Sequence, residues 1–333
     1  MIIKSINLTN FRNHEIYHLD CKPTTTLILG SNGSGKTSVL EAIYILTRGK
    51  SFRATDPEIL KRDTDFYRIV IEYDSGEKII ATYDGSLKTF LASDKKSRRL
   101  PKKHKYPVVF FEPKDLNLIS GSPSRHREYF DRFFSQLSDE YGNTLSRYEK
   151  ALKQRNELLK TESISRADLF SWNLLLSKLG TSLYNLRLEF VSEINKNLNK
   201  IYHSIAENND QIKLEYISEI NHPTENTYFN TLEQNFEKDS YLGHTSFGIH
   251  RDDFQFIFNY HPADGSASRG ETRSIILALK FVEAETLFRK LGKKPLVLLD
   301  DVFSELDEAR RKCLVKNFQD HQVIITSVEN ITD

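Results

Sequence analysis

Eight consecutive residues, Gly30-Ser31-Asn32-Gly33-Ser34-Gly35-Lys36-Thr37, have the types and spacing needed to hold a polyphosphate. Glycines let backbone N–H groups curl around phosphate oxygens, and the positive end of a following helix adds to the attraction. Lys36 would reach the β- and γ-phosphates, and the Thr37 hydroxyl is the expected ligand for Mg2+. Gly30, Ser31, Asn32, Gly33, Ser34, Gly35, Lys36, Thr37 and the adjoining Ser38 are thus the expected ATP contacts. The competing reading is a Gly/Ser turn ending by chance in Lys-Thr, which needs neither a strand before it nor a helix after it.

A phosphate loop also requires a carboxylate at the end of a buried strand to hold the metal. Leu296-Val297-Leu298-Leu299-Asp300-Asp301 supplies four apolar residues followed by two acids. Asp300 is expected to hold magnesium through water, and Asp301 to orient the attacking water. Such a strand end is also how an ordinary core strand meets a solvated turn, but two such motifs in one chain favour the functional reading.

Before the second motif stands Ser266-Ala267-Ser268-Arg269-Gly270-Glu271-Thr272-Arg273, a Ser/Gly turn opening a helix. It resembles the signature segment of ABC ATPases, in which the serine and the helix N-terminus contact the γ-phosphate bound to the other subunit. That resemblance gives Ser268 and Gly270 a role in trans and adds Ser268 to Lys36 and Asp301 as catalytic residues. An ordinary helix N-cap has the same residues, and chain order decides between the two. Ser304-Glu305-Leu306-Asp307 resembles the D-loop that crosses the same dimer interface.

These residues need elements to place them. Ile2, Ile3, Ile6 and Leu8, then Tyr17 and Leu19, read as alternating strands, and Thr26 to Leu29 as an apolar strand ending at Gly30. Val39, Leu40, Ile43, Ile45 and Leu46 suit one side of a helix that Gly49 stops. Residues 66–92 read as an antiparallel meander turning at Asp74-Ser75-Gly76 and Asp84-Gly85. From Ser122-Pro123, an N-cap followed by a first-turn proline, to about Glu207 the pattern is of long helices. Strands return near 212–217 and 254–258, followed by a helix over about 272–289, the 296–299 run, a helix over 308–318 and a strand at 323–326.

The expected class is α/β: an ABC-type ATPase head, with a mixed sheet plus an antiparallel meander, and an inserted helical second domain. Head residues are 1–110 and 240–333, and the arm is 111–239. The 264 residues between Lys36 and Asp300 exceed what a compact phosphate-loop core needs, which the insertion explains.

The chain has 333 residues, 28% of them charged and 38% hydrophobic, an ordinary globular composition. Its two cysteines, Cys21 and Cys313, form no CxxC or Cys/His pattern, which argues against a disulfide framework and zinc. No stretch approaches the roughly 18 apolar residues of a membrane span, so a cytoplasmic protein is expected. The net charge of +1 does not announce a nucleic-acid partner. Distribution says more. Lys95, Lys96, Arg98, Arg99, Lys102, Lys103 and Lys105 fall within eleven positions, and Arg48, Lys50 and Arg53 extend the stripe as candidate DNA-backbone contacts. A solvated polar loop reads equally well.

With these motifs in order, the chain resembles the RecF family, DNA replication and repair ATPases of the ABC/SMC superfamily, over essentially its whole length. More specific than the generic motifs are Leu8-Thr9-Asn10-Phe11-Arg12-Asn13, the loop and helix through Ile43, Ser51-Phe52-Arg53, Gly121-Ser122-Pro123 with Arg125, Arg127 and Asp131, His250-Arg251-Asp252-Asp253, and Leu298 to Asp307. The resemblance implies an ATP-dependent homodimer that binds double-stranded or gapped DNA, with a RecR-type mediator as partner. It further implies recombinase loading at single-strand gaps, fork maintenance and a part in the SOS response to DNA damage. Arg12 would approach the nucleotide. Hydrolysis, probed by Asp301 where ABC ATPases usually carry Glu, is expected to be slow, and a non-hydrolysing nucleotide-gated clamp is the alternative. Three departures stand out: Arg269 and Glu271 replace two neutral amides, no glutamine follows the 108–111 run, and Thr326-Ser327 stands where a switch histidine is usual.

Overall fold

A computed structural model describes residues 1–328. In chain order its elements are β1 (Ile3–Phe11), β2 (His14–Asp20), β3 (Thr25–Leu29), α1 (Lys36–Arg48), α2 (Asp56–Ile59), β4 (Tyr67–Tyr73), β5 (Lys78–Tyr83), β6 (Lys88–Ala92), β7 (Lys95–Ser97) and β8 (Val108–Phe111). There follow α3 (Pro123–Leu137), α4 (Asp139–Leu158), α5 (Arg166–Ala206), β9 (Ile212–Ile217), α6 (Glu225–Gln234), α7 (Phe236–Leu242), β10 (Asp253–Phe258) and β11 (His261–Pro262). An irregular turn, α8 (Ala263–Ser266), leads to α9 (Arg269–Leu291), β12 (Leu296–Asp300), α10 (Glu308–Phe318) and β13 (Val323–Ser327).

Two compact units result, one of Met1–Asp115 with Leu287–Asp333, the other of Leu116–Thr286. These limits differ from 110/111 and 239/240 mainly at the second boundary. β10 pairs along its whole length with β9, so the chain beyond residue 239 is held in the second unit by a sheet that local patterning does not reveal.

In the first unit, parallel and antiparallel strands occupy separate sheets. The antiparallel sheet runs β2-β1-β4-β5-β6-β7 and the parallel sheet β3-β13-β12-β8. Parallel strands need cover on both faces and read as continuous apolar runs, as β8 and β12 do. Helix α1 packs against strands of both sheets. Val39, Leu40, Ala42, Ile43, Tyr44, Ile45 and Leu46 are all buried, so its apolar residues do not form the single face expected but surround the helix, the mark of a fully enclosed one. Gly49 ends it in the left-handed region, φ 86°, and donates its N–H to the Ile45 carbonyl.

The second unit is mainly helical, with α4 and α6 against the 41-residue α5 and the small sheet β11-β10-β9 against α3 and α5. Polar side chains knit its interior. Arg187 of α5 is fully buried, donating to Asp131 Oδ1 at 2.8 Å, to the Tyr141 hydroxyl at 2.9 Å and to the Ile249 carbonyl at 2.7 Å. Within the His250-Arg251-Asp252-Asp253 turn, which reads as an exposed charged loop in sequence, Asp252 is buried and His250 is largely covered. The Ile249 N–H donates to the Tyr228 hydroxyl, which bonds the Tyr148 hydroxyl. Tyr148 in turn donates to His250 Nδ1, while His250 Nε2–H donates to the Thr245 carbonyl.

Burial pushes His250 down from its usual 6.5 to about 4. A depressed histidine binds its proton more readily in the unfolded chain, so stability falls as pH drops from about 6.5 to about 4. The loss at this one site is at most about 3 kcal/mol. Urea unfolding of the second unit at pH 7 and pH 4.5 should therefore show a smaller pH difference in His250→Gln than in wild type. Identical differences would contradict the account.

Candidate functional site

Helix α1 begins at Lys36 with Gly35 as its N-cap, φ 96°, and no side chain caps it, so the Lys36 and Thr37 N–H groups have no helical acceptor, while that of Ser38 donates to the Gly35 carbonyl at 2.9 Å. Gly33, φ 82°, supplies the other left-handed residue of the loop. The β1–β2 turn holds the loop from outside. Asn13 Nδ2 donates to the Gly33 carbonyl at 3.2 Å and His14 Nε2 to the Gly35 carbonyl at 3.1 Å, which turns both peptides so that their N–H sides point away from the hairpin. No side chain fits at Gly35. A Cβ there would lie 2.4 Å from His14 Nε2 and 2.5 Å from Asn13 Oδ1. Gly35→Ala is expected to weaken nucleotide binding more than tenfold and to lower the melting temperature, since the left-handed backbone alone costs about 1–2 kcal/mol. Calorimetric titration with ATP and a thermal melt check this, and wild-type values in both would contradict it.

Strand β13 sits between β3 and β12, which carries the end of β12 to the phosphate loop. The Thr37 hydroxyl lies 2.8 and 2.9 Å from the two oxygens of Asp300, although 263 positions separate them. On the other side Thr326 Oγ1 donates to Asp300 Oδ1 at 2.8 Å. Thr326, at the place of the missing switch histidine, is thus a buried anchor for the carboxylate, a role the sequence does not show. Burial pushes the Asp300 carboxyl above the ordinary carboxylate range, against the hydrogen bonds from Thr326 and Thr37. A hydroxyl and a carboxylate that converge in this way form a hard oxygen donor set, and Mg2+ characteristically binds through one or two carboxylates plus substrate phosphates. The residues present fit that ion.

Lys36 is 6% exposed, and its Nζ donates to the carbonyls of Gly30 at 2.9 Å and Ser31 at 3.3 Å. Asp301 Oδ2 lies 3.5 Å from it. Asp301 adopts a left-handed conformation, φ 51°, and among the described residues its Oδ1 is buried without a hydrogen-bond partner. One oxygen thus faces the lysine and the other is enclosed, so the carboxylate must turn before it can meet a water.

A cavity of about 630 Å³, in the range of small-molecule sites, is lined by Asn32, Gly33 and Gly35 to Ser38 of the loop, by Asp301, and by Arg12, Asn13, Arg53, Glu58 and Leu60 to Arg62. Arg12 is where the sequence places it, on the turn after β1. Arg53, grouped in sequence with the DNA-facing residues, lines this cavity beside the phosphate loop. Both arginines are bound by Glu41 of α1, a residue the motif reading passes over. The signal was present: an acid inside a helix that is apolar all round must be buried and must find cations.

The other basic residues lie apart from this cavity. Lys50, Lys95, Lys96, Arg98, Arg99, Lys102 and Lys103 are exposed, while Arg48 and Lys105 are half-buried and Arg48 donates to the Tyr106 carbonyl. Lys95 and Lys96 belong to β7, the edge of the antiparallel sheet, not to a loop, and successive strand residues project from opposite faces. Edge lysines also deter edge-to-edge pairing.

In the second unit, Ser268 is exposed and caps α9. The Glu271 N–H donates to Ser268 Oγ at 3.3 Å and the Ser268 N–H to Glu271 Oε2 at 2.6 Å. This capping box gives Glu271 a structural reason and starts the helix at Arg269, three residues before the expected position. Among the described residues no helix is long and apolar enough to cross a membrane.

A family profile described as "AAA ATPase domain" matches residues 1–253. The "DNA replication and repair protein RecF" of Clostridium perfringens (strain SM101 / Type A) is 33% identical over 342 residues, covering 100% of this chain and 95% of the relative. The protein of that name from Clostridium novyi (strain NT) is 34% identical, covering 98% and 92%. A solved structure described as "Structure of the recombination mediator protein RecF-ATP in RecFOR pathway" superposes with a TM-score of 0.89 at 28% identity, covering 100% of this chain and 93% of the other. An SMC head bound to the C-winged helix domain of ScpA has a TM-score of 0.52 at 14% identity, a likeness of fold alone.

Proposed function

The chain belongs to the RecF family, and on that premise we propose that it is a DNA replication and repair ATPase whose ATP-bound form is a dimeric clamp on double-stranded or gapped DNA. The observation that supports the ATPase part of this reading is the closure of Thr37 onto Asp300 at the mouth of the phosphate loop. In this reading the ATP phosphates meet the loop N–H groups that no carbonyl holds, those of Lys36 and Thr37 among them, with Lys36 turning from its loop carbonyls to the β- and γ-phosphates and Arg12 beside them. Thr37 and Asp300 would hold Mg2+, which would polarise the phosphoryl oxygens. Asp301 orients a water for in-line attack once Lys36 has turned to the phosphates and freed its carboxylate.

One chain leaves the γ-phosphate open to a second, and Ser268 and Gly270 of that copy are the groups proposed to close it. An exposed serine at the start of a 23-residue helix supports this, because first-turn N–H groups attract an anion. Hydrolysis then releases the clamp. Lys50 and the basic residues from Lys95 to Lys105, with Arg48, are the proposed contacts to the DNA backbone. Recombinase loading at single-strand gaps, with a RecR-type mediator, is the outcome this reading gives. The 3.5 Å approach of Lys36 to Asp301 favours slow turnover, and a non-hydrolysing clamp is the second reading it supports.

Binding to a gapped duplex, followed by fluorescence anisotropy over a salt series, tests the reading. ATP with Mg2+ should be required, and affinity should fall steeply with salt as neutralised phosphates release counterions. Equal binding with and without nucleotide would contradict it.

A further inference from the structure

Glu41 has no exposed surface, yet it carries a charge and accepts five hydrogen bonds. Arg12 approaches it with two nitrogens, Nε to Oε2 and Nη2 to Oε1, both at 2.9 Å. Arg53 approaches Oε2 with Nε at 3.1 Å and Nη2 at 2.9 Å, and the Ser51 hydroxyl donates to Oε1 at 2.6 Å. The donors come from two separate segments, the β1–β2 turn and the stretch after α1, while Glu41 itself lies one helical turn beyond Thr37 on the helix that starts the phosphate site. Burial raises the Glu41 carboxyl, but the hydrogen bonds from Arg12, Arg53 and Ser51 outweigh it and hold the group below its ordinary range.

Two guanidiniums beside one another repel unless an anion lies between them. Glu41 supplies that anion from behind, and both arginines line the cavity that contains Lys36 and Thr37. Arg12 is further fixed by Nη1, which donates to the Glu58 carbonyl at 2.8 Å. Arg53 Nη1 has no hydrogen-bond partner among the described residues. Five cationic side chains, Arg12, Lys36, Arg53, Lys61 and Arg62, line this cavity against two acids, Glu58 and Asp301, a balance suited to a highly charged anion.

Resting on the ATPase reading, we propose that Glu41 is a positioning residue that locks Arg12 and Arg53 into a preformed two-arginine wall for the nucleotide's phosphates. It touches no substrate. Its role is to fix in advance the rotamers that a long, flexible side chain would otherwise lose entropy in adopting on binding. Because each guanidinium engages Glu41 with a planar two-pronged edge, a lysine at either position keeps the charge but loses the lock.

The test is ATPase kinetics of the full chain with Mg2+, with the Kd for ATP from calorimetric titration standing in for KM if the wild type does not turn over, comparing wild type, Glu41→Gln, Arg53→Lys and Arg12→Ala/Arg53→Ala with and without Glu41→Gln. Glu41→Gln should raise KM for ATP about tenfold, equivalent to about 1.4 kcal/mol, with a smaller change in kcat. Arg53→Lys, which leaves Glu41 paired with Arg12, should raise KM about threefold even if Glu41→Gln does not fold. Adding Glu41→Gln to the double arginine variant should cost nothing further in KM. A KM within twofold of wild type in both Glu41→Gln and Arg53→Lys would overturn the proposal, as would a full additional loss in the triple variant. Wild-type turnover that is lost in Lys36→Ala shows that the ATPase reading stands whichever way the Glu41 variants fall, whereas a wild type that binds no ATP overturns both.

Discussion

Lys36→Ala should abolish measurable ATP turnover. Its ammonium is the one cation of the phosphate loop itself, it is buried among loop carbonyls, and no other side chain of the loop can replace it. Removing a preorganised charge aimed at a transferring phosphoryl group typically costs about 10² to 10³ in rate. Loss of ground-state binding adds to that, so kcat/KM should fall by at least about 10³. The fold should survive, because the partners of Lys36 are the Gly30 and Ser31 carbonyls and the Asp301 carboxylate, beside a cavity from which water can replace it. A coupled-enzyme assay with circular dichroism separates the two effects. Turnover within tenfold of wild type in a folded Lys36→Ala protein would contradict the assignment of the loop.

Ser268→Arg should leave ATP binding to a single chain within about threefold of wild type and remove ATP-dependent dimerisation, since the two properties belong to different copies of the site. Arginine brings a bulky cation to the exposed start of α9 and removes its cap. The cap is worth about 1 kcal/mol of stability, a loss that Ser268→Ala reproduces without the bulk. Comparing the two variants therefore distinguishes a weakened helix end from a blocked interface. If Ser268→Arg dimerises with ATP as wild type does, the segment is an ordinary helix cap and the second copy closes the site elsewhere.

Much of this site is legible in one dimension because phosphate-loop chemistry fixes spacing. Glycines, lysine and threonine must be contiguous, and the acid must end an apolar strand, so Gly30 to Thr37 and Asp300-Asp301 announce themselves. Strand limits for β9 and the limits of α10 likewise follow from local alternation and from Asp307, whose side chain accepts the Arg310 N–H as an N-cap. What stays hidden depends on long-range pairing. Thr326 matters because β13 lies beside β12, and nothing in Val-Ile-Ile-Thr-Ser says which strand is its neighbour. Arg53 reads as one more surface cation, and it stays exposed, but Glu41 holds its guanidinium at the wall of the cavity. The β9–β10 ladder moves the second boundary for the same reason, as pairing across more than thirty residues leaves no mark on local periodicity.

Glu41 and Asp301 show how the site combines rigidity with restraint. A saturated buried carboxylate fixes two arginines, while Lys36 faces one oxygen of Asp301 and the other is enclosed.

The central claim is that the phosphate loop is half a site completed by a second copy of the chain. Sedimentation velocity of the wild-type protein with ATP and Mg2+, and again with ADP, tests it most directly. The account predicts a species of twice the 38.7 kDa chain mass with ATP and the single chain with ADP. A single chain under both conditions, at protein concentrations up to tens of micromolar and with gapped DNA present, would contradict it.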